Sequence, residues 1–411
     1  MGCLELVKVE NLLSTKARLF KASEVRELLK VTEGKNIISF TGGFPDPQVF
    51  PKRELAEIAS YVIEELGDRA LQYGPTKGVT EFRETLKRFL TNKGVKIESD
   101  DDIIITTGSQ QALDLVSRLL INPGDTIIVE LPTYLAALNA FKSSVPNIIS
   151  IPMDENGMRT DILEEEVRKL RRNNVKVKFI YTIPVAHNPT GITMSIDRKK
   201  HLLDIASEND LLIIEDDPYS FFVYDEGVDV TPLKTLDKEG RVVYLSTLSK
   251  ILSPGLRLGW VLGNSTLVDY IERVKQSADL HTSTLNQFIA MEAIKRGIVD
   301  RTIVKAREVY RVKRDVMIDA LEKYMVKGTK WVKPVGGLFM LIWLPSESID
   351  TKKLLPEAIE EGVAYVPGSA FFADGSGQNT MRLNFSYPKP EEIVEGIKIL
   401  GNLIKRKLGS S

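Results

Sequence analysis

Residues 244–260, YLSTLSKILSPGLRLGW, place a single lysine, Lys250, among hydroxyls and apolar side chains, with Arg257 seven residues on and no acid to neutralise either. A surface lysine ordinarily sits among mixed charges on a solvated face. Here residues 242–245 read as a buried strand running into a Ser/Thr turn, so the amine needs a partner that the local sequence does not supply. A lysine kept dry has its charged form disfavoured, which makes it a usable base or nucleophile near neutral pH.

Four other apolar runs end in groups that suit the same kind of site. After DIIITT come Gly108, Ser109 and Gln110, opening the apolar-periodic QALDLVSRLL. Free amides at a helix start, a hydroxyl and a glycine that admits close backbone approach make a phosphate site, although the same residues serve equally as a plain N-cap. After VELP comes Tyr134, an aromatic that covers a flat ring or packs the sheet edge. After KFIYTIPVA comes HNPTG, in which Asn188 offers a side-chain amide from an ordinary Pro/Gly turn. After LLIIE come Asp216, Asp217 and Tyr219, and acids at the mouth of so apolar a strand need a cation, a metal or a protonated ring nitrogen. Pyridoxal phosphate needs this whole set. Its phosphate takes amides, hydroxyls and a guanidinium, its pyridine nitrogen takes an anion, and its aldehyde takes an amine.

The elements that must position these groups are legible as well. Between about residues 100 and 265, β-branched runs alternate with longer amphipathic stretches, the pattern of a largely parallel sheet covered on both faces. Ligands of such sheets bind beyond the carboxyl ends of the strands. The expected fold is therefore α/β: a large domain over residues 50–310 with a mainly parallel sheet between helices, and a smaller α+β domain built from residues 1–49 and 311–411. SEVRELLK (23–30) and residues 300–327 read as helices, ILEEEVRKLRRNN (162–174) as a solvated helix with acids early and bases late, and LFMLIWLP as a buried strand. The 411 residues exceed what one core normally serves. With 43% apolar and 27% charged residues and a net charge of -1, the composition is globular and gives no basic excess for nucleic acid. No apolar run reaches membrane-spanning length, and MGCLEL fits neither a lipidation signal nor a signal peptide. The single cysteine, Cys3, permits no disulfide framework within one chain, which suits a reducing cytoplasm. His187, His201 and His281 lack ligand-like spacing, which argues against a metal.

GSQQALDL, HNPTG, EDDPY, STLSKILSPGLRLGW and MRLNFS, in this order and spacing, resemble the fold-type I, class I/II aminotransferases. GGFPDPQVFP and LQYGPTKG resemble the subgroup that includes 2-aminoadipate, kynurenine and multi-substrate aromatic enzymes. The resemblance implies a ping-pong transfer of the amino group between an L-amino acid (aromatic, 2-aminoadipate-like or branched-chain) and a 2-oxo acid, with 2-oxoglutarate and glutamate as one pair. It implies that Lys250 forms the internal aldimine, with Thr247, Ser249, Arg257, Ser109 and Gln110 around the phosphate. Asp216 would pair with the pyridinium nitrogen, Asn188 and Tyr219 would contact the ring hydroxyl oxygen, and Tyr134 would stack on the ring. Tyr73 would reach the phosphate of the neighbouring subunit in a homodimer with shared active sites. Arg382 would hold the substrate α-carboxylate, with Asn188 and the backbone near Gly43 completing the clamp. Arg26 would reach a distal carboxylate or pair with acids on its own helix. Two other readings stay open: a carbon–sulfur lyase on the same fold, and the effector-binding module of a regulator, for which the segment before FTGGFPDP is too short to hold a DNA-binding domain.

Overall fold

The apolar runs become strands where the sequence reading expects them. The structure, a computed structural model, describes residues 7–14, 16–19, 24, 27–28 and 37–409. After a two-residue strand at Ile38–Ser39 (β1) come Asp101–Thr106 (β2), Thr126–Leu131 (β3), Asn147–Asp154 (β4), Gly157–Met158 (β5), Val177–Thr182 (β6), Leu212–Asp216 (β7), Val242–Thr247 (β8) and Gly259–Asn264 (β9). Strands β2 to β9 form one eight-stranded sheet in the order β2-β9-β8-β7-β6-β3-β4-β5. From β8 across to β4 the pairing is parallel, whereas β9 is antiparallel to both β8 and β2. Residues 248–258 are too short for the crossover a parallel neighbour requires, so β9 turns back on β8. Two reversals restore the direction of β2. The carboxyl ends of β2, β3, β6, β7 and β8 consequently open along one edge.

Helices cover the sheet and begin at that edge. Ser109–Leu120 follows β2 and Leu135–Lys142 follows β3. The charge-rich stretch forms the helix Thr160–Arg172, which buries Leu163, Val167 and Leu170 at three- to four-residue spacing and carries Asp161 in its first turn and Lys169, Arg171 and Arg172 in its last. All six residues of β8 are buried, which accounts for a continuous apolar run in place of alternation.

The C-terminal part adds Lys330–Trp331 (β10), Phe339–Trp343 (β11), Val363–Ala364 (β12), Val366–Pro367 (β13) and Thr380–Asn384 (β14), and all of these but β12 form a second sheet. Its four antiparallel strands lie in the order β10-β11-β14-β13, and LFMLIWLP supplies β11. Strand β1 pairs in parallel with β12, so the chain near residue 38 joins the C-terminal elements. The helix Ile298–Tyr324 occupies the stretch read as helical. SEVRELLK falls mostly outside the described residues, and Arg26 with it. Among the described residues, no helix is long and apolar enough to cross a membrane.

Charges buried beneath the sheet are compensated locally. Lys234 Nζ lies 2.8 Å from Asp101 Oδ1, with the two side chains only 2% and 1% exposed. Glu215 in β7 accepts the backbone N–H groups of Leu233 and Lys234 at 2.8 and 2.9 Å, so the same short segment is tied to two strands. Removing one partner leaves a buried charge unpaired. Lys234→Met is expected to lower the unfolding free energy by about 3–5 kcal/mol in denaturant titration, and Asp101→Asn/Lys234→Met to recover part of that loss. A change in Lys234→Met smaller than about 1 kcal/mol would show that water, not Lys234, compensates Asp101.

Candidate active site

The five strand ends converge on a cavity of about 610 Å3. At the end of β2, Gly108 adopts φ +75° as the helix Ser109–Leu120 begins, and the first-turn amides of Ser109 and Gln110 have no earlier turn to bond. A Cβ on Gly108 would lie 2.3 Å from Arg257 Nη2, so only glycine lets the guanidinium lie across this helix start. Arg257 itself sits in the left-handed region at φ +53°. Its Nη2 donates to the Thr107 carbonyl at 3.3 Å and its Nη1 lies 3.4 Å from Ser249 Oγ. Thr247 Oγ1 is 2.8 Å from both Ser249 Oγ and the Leu258 carbonyl, which fixes the hydroxyl turn after β8. Amides at a positive helix end, hydroxyls and a fixed guanidinium are a donor set for a phosphate group.

Lys250 follows on the same turn, and its Nζ donates to the Gly43 carbonyl at 2.6 Å. Burial first, and then the Arg382 and Arg257 guanidinium groups, push its ammonium down to about 8. Gly43 is glycine for a spatial reason, since a Cβ there would meet Phe339 Cζ at 2.9 Å and Lys250 Nζ at 3.9 Å. At the end of β7 stand its last residue, Asp216, and then Asp217. Asp217 is committed to structure, accepting from the Tyr244 hydroxyl at 2.9 Å and the Ser220 amide at 3.0 Å. Asp216 accepts from the Tyr181 hydroxyl through Oδ2 at 2.8 Å, while its buried Oδ1 has no hydrogen-bond partner among the described residues. Burial, with the nearby Asp217 charge, raises Asp216 to about 7. A buried carboxylate with one oxygen unsatisfied is suited to an incoming cationic N–H.

Arg382 in β14 is buried at the cavity wall. Its Nη1 donates to Asn188 Oδ1 at 3.1 Å and its Nη2 to the Thr41 carbonyl at 2.6 Å, and Nε is left without a partner among the described residues. The Phe339 and Phe371 rings lie 4.2 and 4.9 Å from its guanidinium carbon, and burial lowers its ordinarily very high pKa to about 10. Asn188 is presented by a turn tied down from below. The buried His187 has Nδ1 2.9 Å from Thr190 Oγ1 and Nε2 3.1 Å from Glu130 Oε2, and Glu130 also accepts from Thr182 and the Ile183 amide. Tyr219, whose phenol is raised by burial and steadied by Asn188, packs edge-on against Phe339 at 6.0 Å.

Ser109, Gln110, Tyr134, Asn188, Tyr219, Thr247, Ser249, Lys250, Arg257, Arg382 and Gly43 all line this one cavity. Tyr73 does not. It is 79% exposed, with its ring edge-on to His281 at 5.7 Å. Arg26 lies outside the described residues. The sequence reading passed over Tyr181, which donates to Asp216, and over Phe339 and Phe371, whose rings lie against the Arg382 guanidinium. An arginine set between Met381 and Leu383 in a strand was the available signal for the two phenylalanines, because such a cation needs aromatic faces or carbonyls around it. The residues present fit pyridoxal phosphate: an anion cradle and a dry amine share one cavity, and Asp216, buried at the end of β7 and outside that cavity's lining, keeps an orphaned carboxylate oxygen for a ring N–H.

The raised Asp216 carboxyl has a consequence for the cofactor-free chain. As pH rises from 3.8 to about 7 the unfolded chain releases this proton while the folded chain retains it, so stability falls across that window. Asp216→Asn, neutral throughout, should match wild-type melting temperature near pH 4 and exceed it increasingly towards pH 8. A constant difference across the range would mean that Asp216 is charged in the folded chain at every pH tested.

The family model for aminotransferase class I and II matches residues 34–400. An aromatic-amino-acid aminotransferase of Thermococcus litoralis is 49% identical over 97% of this chain and 95% of its own length. A 2-aminoadipate transaminase of Thermus thermophilus is 38% identical over 94% of each. The crystal structure of a kynurenine aminotransferase of Pyrococcus horikoshii, in complex with PMP (pyridoxamine phosphate), superposes with a TM-score of 0.94 at 49% identity, covering 98% of both chains. With the cradle, the amine and the carboxylate gathered on one sheet edge, the chain belongs to the pyridoxal phosphate-dependent aminotransferases of class I and II.

Proposed function

We propose that Lys250 is the group that carries the cofactor and moves the substrate proton, and that Arg382 binds the substrate α-carboxylate. The observation that supports this most is the dry Lys250 amine on the Gly43 carbonyl, in the cavity it shares with Arg382, while the half-satisfied Asp216 lies two residues before Pro218 of the cavity lining. Pyridoxal phosphate, when bound, supplies an electron sink for the pair left when the substrate Cα loses its proton. Ser109, Gln110, Thr247, Ser249 and Arg257 would hold its phosphate, with Tyr73 of the neighbouring subunit. Asp216 would hold its ring N–H, Asn188 and Tyr219 its ring hydroxyl oxygen, and Tyr134 would cover its face. Lys250, at about 8, is part neutral near neutral pH and so able to accept and return a proton. Arg382 lines the cavity beside Asn188, with its Nε unpartnered among the described residues, an arrangement suited to a carboxylate.

The amino donors in this reading are aromatic, 2-aminoadipate-like or branched-chain L-amino acids, with 2-oxoglutarate as acceptor. Relatives named for aromatic amino acids, kynurenine and 2-aminoadipate support the class, as do Phe44, Tyr134, Leu135, Ile183 and Phe339 in the cavity wall. Arg26 is the candidate for a distal carboxylate. We also read the chain as a cytoplasmic homodimer with shared sites, divided into a large domain over residues 50–310 and a small one from both chain ends. The exposed Tyr73 and the pairing of β1 with β12 support that organisation.

Product counting tests the reaction. Cofactor-loaded enzyme given an L-amino acid alone should form about one 2-oxo acid per site and stop, then turn over continuously once 2-oxoglutarate is added, as a two-stage transfer requires. Lys250→Ala should lose both phases. Continuous release of product without an acceptor would instead indicate a lyase, and turnover by Lys250→Ala would remove the lysine from its assigned role.

A further inference from the structure

The segment Thr41–Asp46 touches both principal groups of the site through its backbone. The Thr41 carbonyl accepts from Arg382 and the Gly43 carbonyl from Lys250. This irregular segment has no helix or ladder of its own over these residues, so something else must fix those two carbonyls. Its far end is held by a charge buried outside the cavity. Lys313, on the helix Ile298–Tyr324, places Nζ 2.5 Å from Asp46 Oδ2, 2.9 Å from the Ser386 carbonyl and 3.3 Å from the Tyr387 carbonyl. Both side chains of the pair are 6% exposed. One turn earlier on the same helix, the Tyr310 hydroxyl accepts the Asp46 amide at 3.0 Å, and Asp46 Oδ1 accepts from the Gln48 amide at 2.8 Å. Ser386, just past β14 and close to Arg382, donates to the Phe44 carbonyl at 2.8 Å. An ammonium with three acceptors thus joins the long helix, the Thr41–Asp46 segment and the exit of the strand that carries Arg382.

We propose that the Lys313–Asp46 pair is a positioning device for catalysis, fixing the Thr41 and Gly43 carbonyls against Arg382 and Lys250. Neither residue lines the cavity. Burial of the pair is weak evidence for stability, because desolvating two charges costs about as much as their attraction returns. Its geometric effect is a different matter. Displacing a positioned group by about an ångström costs rate on the order of a hundredfold, so partial loosening at two carbonyls is a kinetic event even when the fold survives.

The inference rests on the reading of Lys250 and Arg382 given above, and the experiment separates the two. Asp46→Asn, Lys313→Met and Lys313→Arg are made in the full chain and loaded with pyridoxal phosphate. Kinetics are measured per bound cofactor, well below each melting temperature. Asp46→Asn and Lys313→Met are expected to lose about tenfold or more in kcat/KM, with KM for the amino acid raised and kcat lowered, as misplacement of Arg382 and Lys250 respectively requires. Lys313→Arg, which keeps the cation, is expected to recover most of that loss. Where Lys313→Met does not fold, Asp46→Asn/Lys313→Met leaves no lone buried charge and is read in its place. Loaded variants with kcat and KM within about twofold of wild type overturn the proposal, as does failure of all these variants to fold, which would assign the pair to the fold alone. Lys250→Ala is the control: if it turns over, the underlying reading falls, whereas an inactive Lys250→Ala beside unaffected Asp46 and Lys313 variants removes the positioning claim alone.

Discussion

Among the described residues, the amine of Lys250 is held without a counter-ion, and much of the structure follows from that constraint. Its hydrogen-bond partner is a backbone carbonyl, that of Gly43, and the charged groups that act on it are the guanidinium groups of Arg382 and Arg257. A free lysine titrates near 10.4, too high for a base at neutral pH. Burial and two neighbouring cations bring Lys250 down to about 8. Keeping three cationic groups in one cavity is costly unless anions arrive with the ligands, and a phosphate and a carboxylate are the anions that the family's cofactor and substrates bring.

Each cation is accordingly supported from behind by groups that do not neutralise it. Arg382 rests between the Phe339 and Phe371 rings and on the Thr41 carbonyl, and Arg257 lies over Gly108 on the Thr107 carbonyl. Asp216, buried at the end of β7, is held by Tyr181 and is itself pushed up to about 7 by burial. In this arrangement the strongest local charges remain uncompensated by the protein, and bound ligands complete the electrostatics. The eight-stranded sheet brings the phosphate cradle and Lys250 together, and the second sheet contributes Arg382 and Phe339 from β14 and β11. The Thr41–Asp46 segment bridges the two.

What could be read from the sequence was whatever is encoded locally. The apolar runs announced the strands, and the residues just after them announced the site, because a parallel sheet puts those ends on one edge. Lys250, Asp216, Asn188 and Arg257 were visible as polar groups out of place beside apolar runs. The reversal at β9 was harder, since hydrophobicity does not encode strand direction and only the short 248–258 connection hinted at it. Tyr181 orients Asp216 from the neighbouring strand, and neighbour order is set by the fold, not by the run itself. Lys313 and Asp46 stand 267 positions apart, and each alone looks like an ordinary charge on a helix or in a turn. Such pairs are specified by packing between distant segments.

The central claim, that burial and neighbouring guanidinium groups make Lys250 a base near neutral pH, is tested most directly by titrating its amine. Amine-selective acylation of the cofactor-free protein across a pH series, with the extent at Lys250 read by peptide mass spectrometry, gives that titration. The account predicts a midpoint near 8 for Lys250 against about 10.4 for exposed lysines of the same chain. A Lys250 midpoint coinciding with the exposed lysines would contradict it.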